Sequence, residues 1–213
     1  MKVAILSESA ADEAALRVLI DGILKVSTEP VAPLRLRSRG WPSVRDILPS
    51  VLKHLHYQTD AEALVVVVDS DNSPIHSAEH DAPNGQEGDC RLCQIRSLVQ
   101  ETLSRVKAVP NRQPLKTAIG LAAPCIEAWY CCGDADASEA AWARQLETGT
   151  NLRQRRLELK RKVYGTDRPS AELETRCAVE QAKRLVQDLP QLERQFPNGF
   201  GPLARDVRGW ASD

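Results

Sequence analysis

The residues best suited to chemistry are acids that follow short apolar runs. Asp69 and Asp71 stand at i and i+2 directly after the continuous apolar run 63–68, so both can face one loop crevice. Their oxygens suit hard cations such as magnesium or manganese. Glu8 follows the run 2–6 in the same way, and adjacent parallel strands would bring its carboxylate to the same sheet edge. Asp-Ser-Asp-Asn also makes an ordinary turn, so the pair alone does not decide between the two readings. Glu127 is an acid at a third strand-to-helix junction, where it can equally cap or pair on a helix surface.

A second group of potential ligands lies just beyond Asp71. His76 and His80 are four apart, Cys90 and Cys93 three apart, and two imidazoles with two thiolates at such spacings suit tetrahedral zinc. With all four positions filled by protein, a zinc there would be structural. The alternative is a solvated loop, since Glu79, Asp81, Glu87 and Asp89 crowd the same stretch.

Strands and helices must hold these residues in place. Periodicity predicts strands at 2–6, 31–36, 63–68 and 116–122, and helices at 12–24, 44–56, 94–109, 139–147, 152–163 and 171–189. Ser138 is a candidate cap, and Pro124 is expected at a first helical turn. Beyond Pro197-Asn-Gly the chain is expected to end in a tail, 200–210. The alternation of strands and helices followed by helices alone predicts an α/β domain with a helical appendage.

The segment Ser7-Glu8-Ser9-Ala10-Ala11-Asp12-Glu13, followed by a strand ending in Asp69-Ser70-Asp71, resembles the Toprim domain shared by primases, topoisomerases and OLD-type nucleases. Pro124-Cys125-Ile126-Glu127-Ala128-Trp129 and Phe200-Gly201-Pro202-Leu203 are similar to the small stand-alone Toprim-like proteins of the DUF4276 group. The resemblance implies a Toprim-like (Rossmann-like), mainly parallel sheet flanked by helices over residues 1–135, with a 72–93 loop insertion and a helical extension, 136–213, packing on it. It implies metal-dependent phosphodiester cleavage, in which Glu8 is a general base or metal-linked acid. Asp69 and Asp71 would hold Mg2+ or Mn2+, and Glu127 would add a carboxylate for a second ion. Lys160 and Lys162, in a basic segment that can neutralise phosphate, are the cations expected beside such a site. The implied setting is a defence or DNA-processing system. The alternative is a non-catalytic subunit that binds nucleic acid or a partner ATPase. The chain has no Gly-x4-Gly-Lys-Ser/Thr loop, so an ATPase would act in trans. Ser9 stands where the family carries a glycine after the first acid.

Composition sets outer bounds. Lys and Arg number 28 against 29 Asp and Glu, so a net charge of -1 provides no global field for nucleic acid, and any contact must be local. The sequence lacks an apolar stretch long enough to span a bilayer, and the expected location is cytoplasmic. The six cysteines are sparse for a disulfide scaffold, and Cys125, Cys131, Cys132 and Cys177 are expected to pack as small hydrophobes.

Overall fold

The computed structural model describes residues 1–31, 40–81, 88–149 and 151–212. From the N-terminus the chain alternates β1 (Lys2–Leu6), α1 (Ala10–Leu24), β2 (Glu29–Pro30), α2 (Gly40–Gln58), β3 (Ala63–Asp69), α3 (Arg91–Ser104) and β4 (Lys116–Ala122). All strand pairs are parallel, in the order β2-β1-β3-β4. The architecture is therefore an open α/β sheet of Rossmann-like type.

The β3 run is apolar throughout because both faces of the strand are covered. Ala63, Val65 and Val67 enter one hydrophobic cluster, while Leu64, Val66 and Val68 enter the other. Helix α1 packs on the first face and α2 with α3 on the second. Right-handed crossovers require this division. The connection from β1 to β2 runs one way across the sheet, whereas those from β2 to β3 and from β3 to β4 run the other way. The direction reverses between β1 and β3, and outside the carboxyl ends of those two strands lies the crevice where open α/β sheets hold ligands.

After β4 come α4 (Ile126–Tyr130), α5 (Glu139–Thr148), α6 (Leu152–Tyr164), α7 (Ala171–Leu185), α8 (Leu189–Gln195) and α9 (Phe200–Gly209). Of these, α4 and α6 to α9 share the α1-side cluster, through Trp129, Leu159, Ala178, Leu192, Leu203 and Val207 among others. The tail expected at 200–210 is instead α9, a core helix lying on β4. Small residues on that face of β4 permit the close approach: a Cβ on Gly120 would stand 3.2 Å from Leu203 Cδ2. At the entry to α9 the fit is tighter still, since a Cβ on Gly199 would lie 1.9 Å from the Leu121 carbonyl oxygen. Buried Glu139 fastens this turn by accepting hydrogen bonds from Asn198 N at 2.9 Å and Gly199 N at 2.7 Å.

Several boundaries differ from expectation. Pairing of β2 is confined to Glu29–Pro30, ahead of the expected 31–36 strand, whose residues 32–36 lie outside the described ones. The helix expected at 171–189 stops at Leu185, and a 3-10 turn, Val186–Asp188, leads into α8. Pro190 explains the break, because it lacks an N–H and fits the first turn of a new helix capped by Asp188. Pro124 precedes α4 instead of occupying its first turn, and Cys125 takes the N-cap position. The expected helix 94–109 is α3, which starts earlier, at Arg91, and ends at Ser104. Among the described residues no helix is long and apolar enough to cross a membrane.

Candidate metal centres

Glu8 leaves the end of β1 beside the start of α2, and its Oε1 accepts a hydrogen bond of 2.9 Å from Asp69 N at the end of β3. Asp69 Oδ1 in turn accepts 2.9 Å from Ile126 N at the start of α4. The junctions that follow β1, β3 and β4, three neighbouring strands, are thus stitched together at one edge of the sheet. Ser9, the residue in the glycine position, has an ordinary extended φ of -145° and caps α1, its hydroxyl accepting from Asp12 N at 3.1 Å. No glycine is required there.

Electrostatics brings the same residues together. Burial pushes the Asp69 carboxyl well above the usual carboxylate range, and Glu8, Glu127 and Asp12 add repulsion. Glu8 is also raised, chiefly by burial and further by Asp71. Asp12, on the first turn of α1, is pushed up to about 7 by burial, with Glu127, Glu174 and Glu8 contributing. Sequence reasoning passed over Asp12 as a site residue, because an acid in a first helical turn is ordinary. Glu127 is buried on α4, so the surface-pairing alternative does not hold. Among the described residues its Oε2 has no close hydrogen-bond partner, nor do the hydroxyls of Tyr130 and Tyr164, although Glu127 and Tyr164 stand near enough to influence each other. Burial raises both tyrosines, and Asp12 and Glu127 raise them further, so they stay neutral O–H donors.

Cations rim the acids. Arg91 Nη1 donates to the Asp69 carbonyl at 2.6 Å and to Asp71 Oδ2 at 2.9 Å, and the guanidinium lies 5.1 Å from the centre of the Trp41 ring. Arg156 Nε stands 3.7 Å from Asp71 Oδ1, and its guanidinium also bonds Asn72 Oδ1. Asp71 adopts a left-handed φ of 48° in its turn and faces these two arginines. Lys160 Nζ lies 3.6 Å from Glu127 Oε1. Burial works to lower the Lys160 ammonium, yet Glu127, Cys125, Asp69 and Glu174 outweigh it and raise its pKa.

Lys162 is a correction: its ammonium pairs with Asp134 Oδ2 at 2.6 Å, beside a separate surface depression. Helix geometry gives the reason. At about 100° per residue, positions two apart on α6 diverge by about 200°, so Lys160 and Lys162 cannot face one site. The residues sharing a stripe with Lys160 are four away, Arg156 and Tyr164, and both reach the acids. Sequence reasoning also missed Arg91, a residue between two candidate zinc ligands.

His76, His80, Cys90 and Cys93 meet at the second group of ligands. Among the described residues they form the one set of three or more potential ligands whose donor atoms all lie within 4.8 Å of one another. His76 Nδ1 is 3.3 Å from Cys93 Sγ and 3.8 Å from Cys90 Sγ. The acids of the sheet edge approach less closely, bridged by backbone N–H groups and cations. Their oxygen-only donor set and the unpartnered Glu127 Oε2 fit a hard divalent cation and would not fit a soft one.

Of the other candidates, Cys125, Cys131 and Cys132 are buried and free of disulfides. No known protein family, curated protein or solved structure matches the chain.

Proposed function

We propose that the chain is a divalent-cation-dependent phosphodiester-cleaving enzyme of Toprim type. The observation that carries the reading is the meeting of Glu8, Asp69 and Glu127, from three βα junctions, beside the crevice between β1 and β3, where they raise the Asp69 carboxyl further than burial alone. Clustered buried carboxylates are costly without a compensating charge, and Mg2+ or Mn2+ is the hard cation their oxygens suit.

Asp69, Glu127 and Asp12 would hold the cation, and Asp71 would join them once a phosphate competes for its arginines. When bound, the cation supplies Lewis acidity to a phosphoryl oxygen and makes a water more acidic. The chain's own groups do the rest. Glu8, whose raised carboxyl titrates closer to neutrality than an ordinary glutamate, takes the proton of the attacking water. Arg91 and Arg156 present N–H donors that fit phosphate oxygens, and Lys160 adds a point charge beside Glu127. The neutral Tyr130 and Tyr164 hydroxyls stand ready to donate hydrogen bonds inside the acidic wall.

A second reading is favoured by the ion pairs of Asp71 with Arg91 and Arg156, which close one side of the rim. In that reading the chain binds nucleic acid, or an ATPase partner in trans, and does not cut. One experiment separates them: the isolated chain is incubated with DNA and RNA in magnesium, beside Asp69→Ala. Magnesium-dependent cleavage lost in the variant supports the enzyme, whereas equal cleavage by both rejects the site. Magnesium-dependent binding without cleavage supports the second reading.

A further inference from the structure

Residues 73–81 and the first turn of α3 bring four ligands of zinc type together, outside the acidic edge and unused by the chemistry proposed for it. We propose that His76, His80, Cys90 and Cys93 form a structural tetrahedral zinc site that pins this loop to α3 and so fixes Arg91 against the acidic rim.

The distances suit the ion. Zinc bonds of about 2.3 Å to sulfur and about 2.0–2.1 Å to nitrogen, set at the tetrahedral angle, put N and S about 3.6 Å apart. The separations of His76 Nδ1 from the two sulfurs, 3.3 and 3.8 Å, bracket that value. Cys90 and Cys93 are placed by helix geometry. Cys90 is the N-cap of α3 and Cys93 lies three residues on, so their side chains share one face of the first turn. The N-cap side chain makes no capping hydrogen bond with the helix, and its sulfur approaches the imidazole of His76.

The surroundings agree. A zinc-bound histidine ordinarily donates its other ring N–H to a carboxylate, and His76 Nε2 lies 3.2 Å from Asp81 Oδ2, with Arg96 Nη1 3.1 Å from the same nitrogen, so zinc binding through Nδ1 calls for the tautomer that directs Nε2–H to Asp81. Arg96 holds the same carboxylate through Oδ1 at 3.3 Å. Among the described residues His80 Nδ1 is buried without a hydrogen-bond partner, so thiol-to-imidazole hydrogen bonds around His76 do not account for the whole group. The charge of Zn2+ is cancelled by two thiolates, which makes the site compatible with the burial of His76, Cys90 and Cys93. Soft sulfur and imidazole ligands select zinc over magnesium, so the two metal sites do not compete for one ion. Four protein ligands leave no position for substrate, which makes the role structural.

What the site positions is Arg91. It is the first residue of α3, flanked by the two sulfur ligands, and its guanidinium bonds the Asp69 carbonyl and Asp71 while lying against Trp41.

The test uses the purified full chain. Elemental analysis is expected to find about one zinc per chain, and cobalt put in its place should give the strong visible absorption of a tetrahedral ion with thiolate charge-transfer bands. Cys93→Ser and His80→Ala should each lose most of the zinc and the tetrahedral cobalt spectrum. Zinc below about a tenth of an equivalent, with cobalt giving only the pale octahedral spectrum, would overturn the proposal, as would full zinc retention in both variants. Should Cys93→Ser not fold, the wild-type cobalt spectrum and His80→Ala decide alone. Because the readout is metal content and coordination, it is independent of whether the acidic edge cleaves anything.

Discussion

Replacing Asp12 by asparagine tests whether burial beside the other acids of the sheet edge raises this carboxyl in the folded protein. Each tenfold change in proton affinity is worth about 1.4 kcal/mol. A carboxyl moved from 3.8 to about 7 therefore makes folding about 4 kcal/mol less favourable above pH 7 than below pH 4, as an upper value. The direction follows from proton binding. Between those pH values the folded protein holds a proton that the unfolded chain has released, so stability is full in acid and is lost as pH rises through the folded value. Asparagine keeps the shape and an oxygen able to accept from the Ser7 hydroxyl, which stands 3.4 Å from Asp12 Oδ2, but it does not titrate. Urea unfolding in magnesium-free buffer, repeated across this range, should show the wild type losing several kcal/mol more than Asp12→Asn, with similar m-values. The variant should be the more stable protein at pH 8. Parallel profiles would refute the raised carboxyl of Asp12, and with it the place of Asp12 among the residues proposed to hold the cation.

Magnesium at about a hundred times its dissociation constant should stabilise the wild type by about 2.7 kcal/mol, a rise of about 5–10 °C in melting temperature at this chain length. Asp69→Asn should show little of that rise in a thermal melt. Glu139 is buried and pushed up to about 7 from 4.5, so its ionisation opposes folding as pH rises through 7, by up to about 3 kcal/mol. Glu139→Gln should start less stable, with one N–H of the 198–199 turn facing an amide, yet lose less stability between pH 4 and 7 when followed by urea unfolding. Gly199→Ala should cost at least about 2 kcal/mol in the same assay, because the added methyl meets the Leu121 carbonyl, which belongs to a packed strand. Arg91→Ala should cost about 2 kcal/mol by removing charge-assisted hydrogen bonds to Asp69 and Asp71, read as a shift in urea midpoint at constant m-value.

The sheet and its acids were legible because their signals are local. A run of β-branched residues ending abruptly in acids specifies both the buried strand β3 and the edge at which Asp69 emerges, and Glu8 repeats the pattern one strand away. The four zinc-type ligands were legible for the same reason, since their spacing survives without knowledge of the fold. Helix phase was not legible. The basic run on α6 shows that cations are present, but which of them face the acids depends on how Leu159 and Tyr164 seat that helix in the core. Asp12 was hidden likewise: an acid in a first helical turn becomes a site residue only when α4 and α7 bury it beside Glu127 and Glu174. Residues 200–210 read as a tail because Pro197-Asn-Gly marks a break, yet Phe200, Leu203, Ala204 and Val207 are fully buried on one face of α9.

These omissions share a cause that bears on how the molecule works. Asp69 and Asp71 are supplied by the end of β3 and the turn after it, but Arg91 comes from α3, Arg156 and Lys160 from α6, and Asp12 from α1. The acids are divided between strand ends, which supply Glu8, Asp69 and Asp71, and the helices α1 and α4, which supply Asp12 and Glu127, whereas Arg91, Arg156 and Lys160, the cations that balance them, all arrive on helices. A change in the docking of α3 or α6 would alter the charge balance of the rim without touching an acid, by withdrawing Arg91 or the Arg156–Lys160 stripe. Loss of the proposed zinc would be such a change for α3. If the two centres are coupled through Arg91, Cys93→Ser should tighten magnesium binding, because withdrawing the guanidinium frees Asp71 and removes a positive charge from the rim while leaving the carboxylates intact. Calorimetric titration of the variant with magnesium gives the answer, and an unchanged dissociation constant would show that Arg91 is held by Trp41 and Asp71 alone.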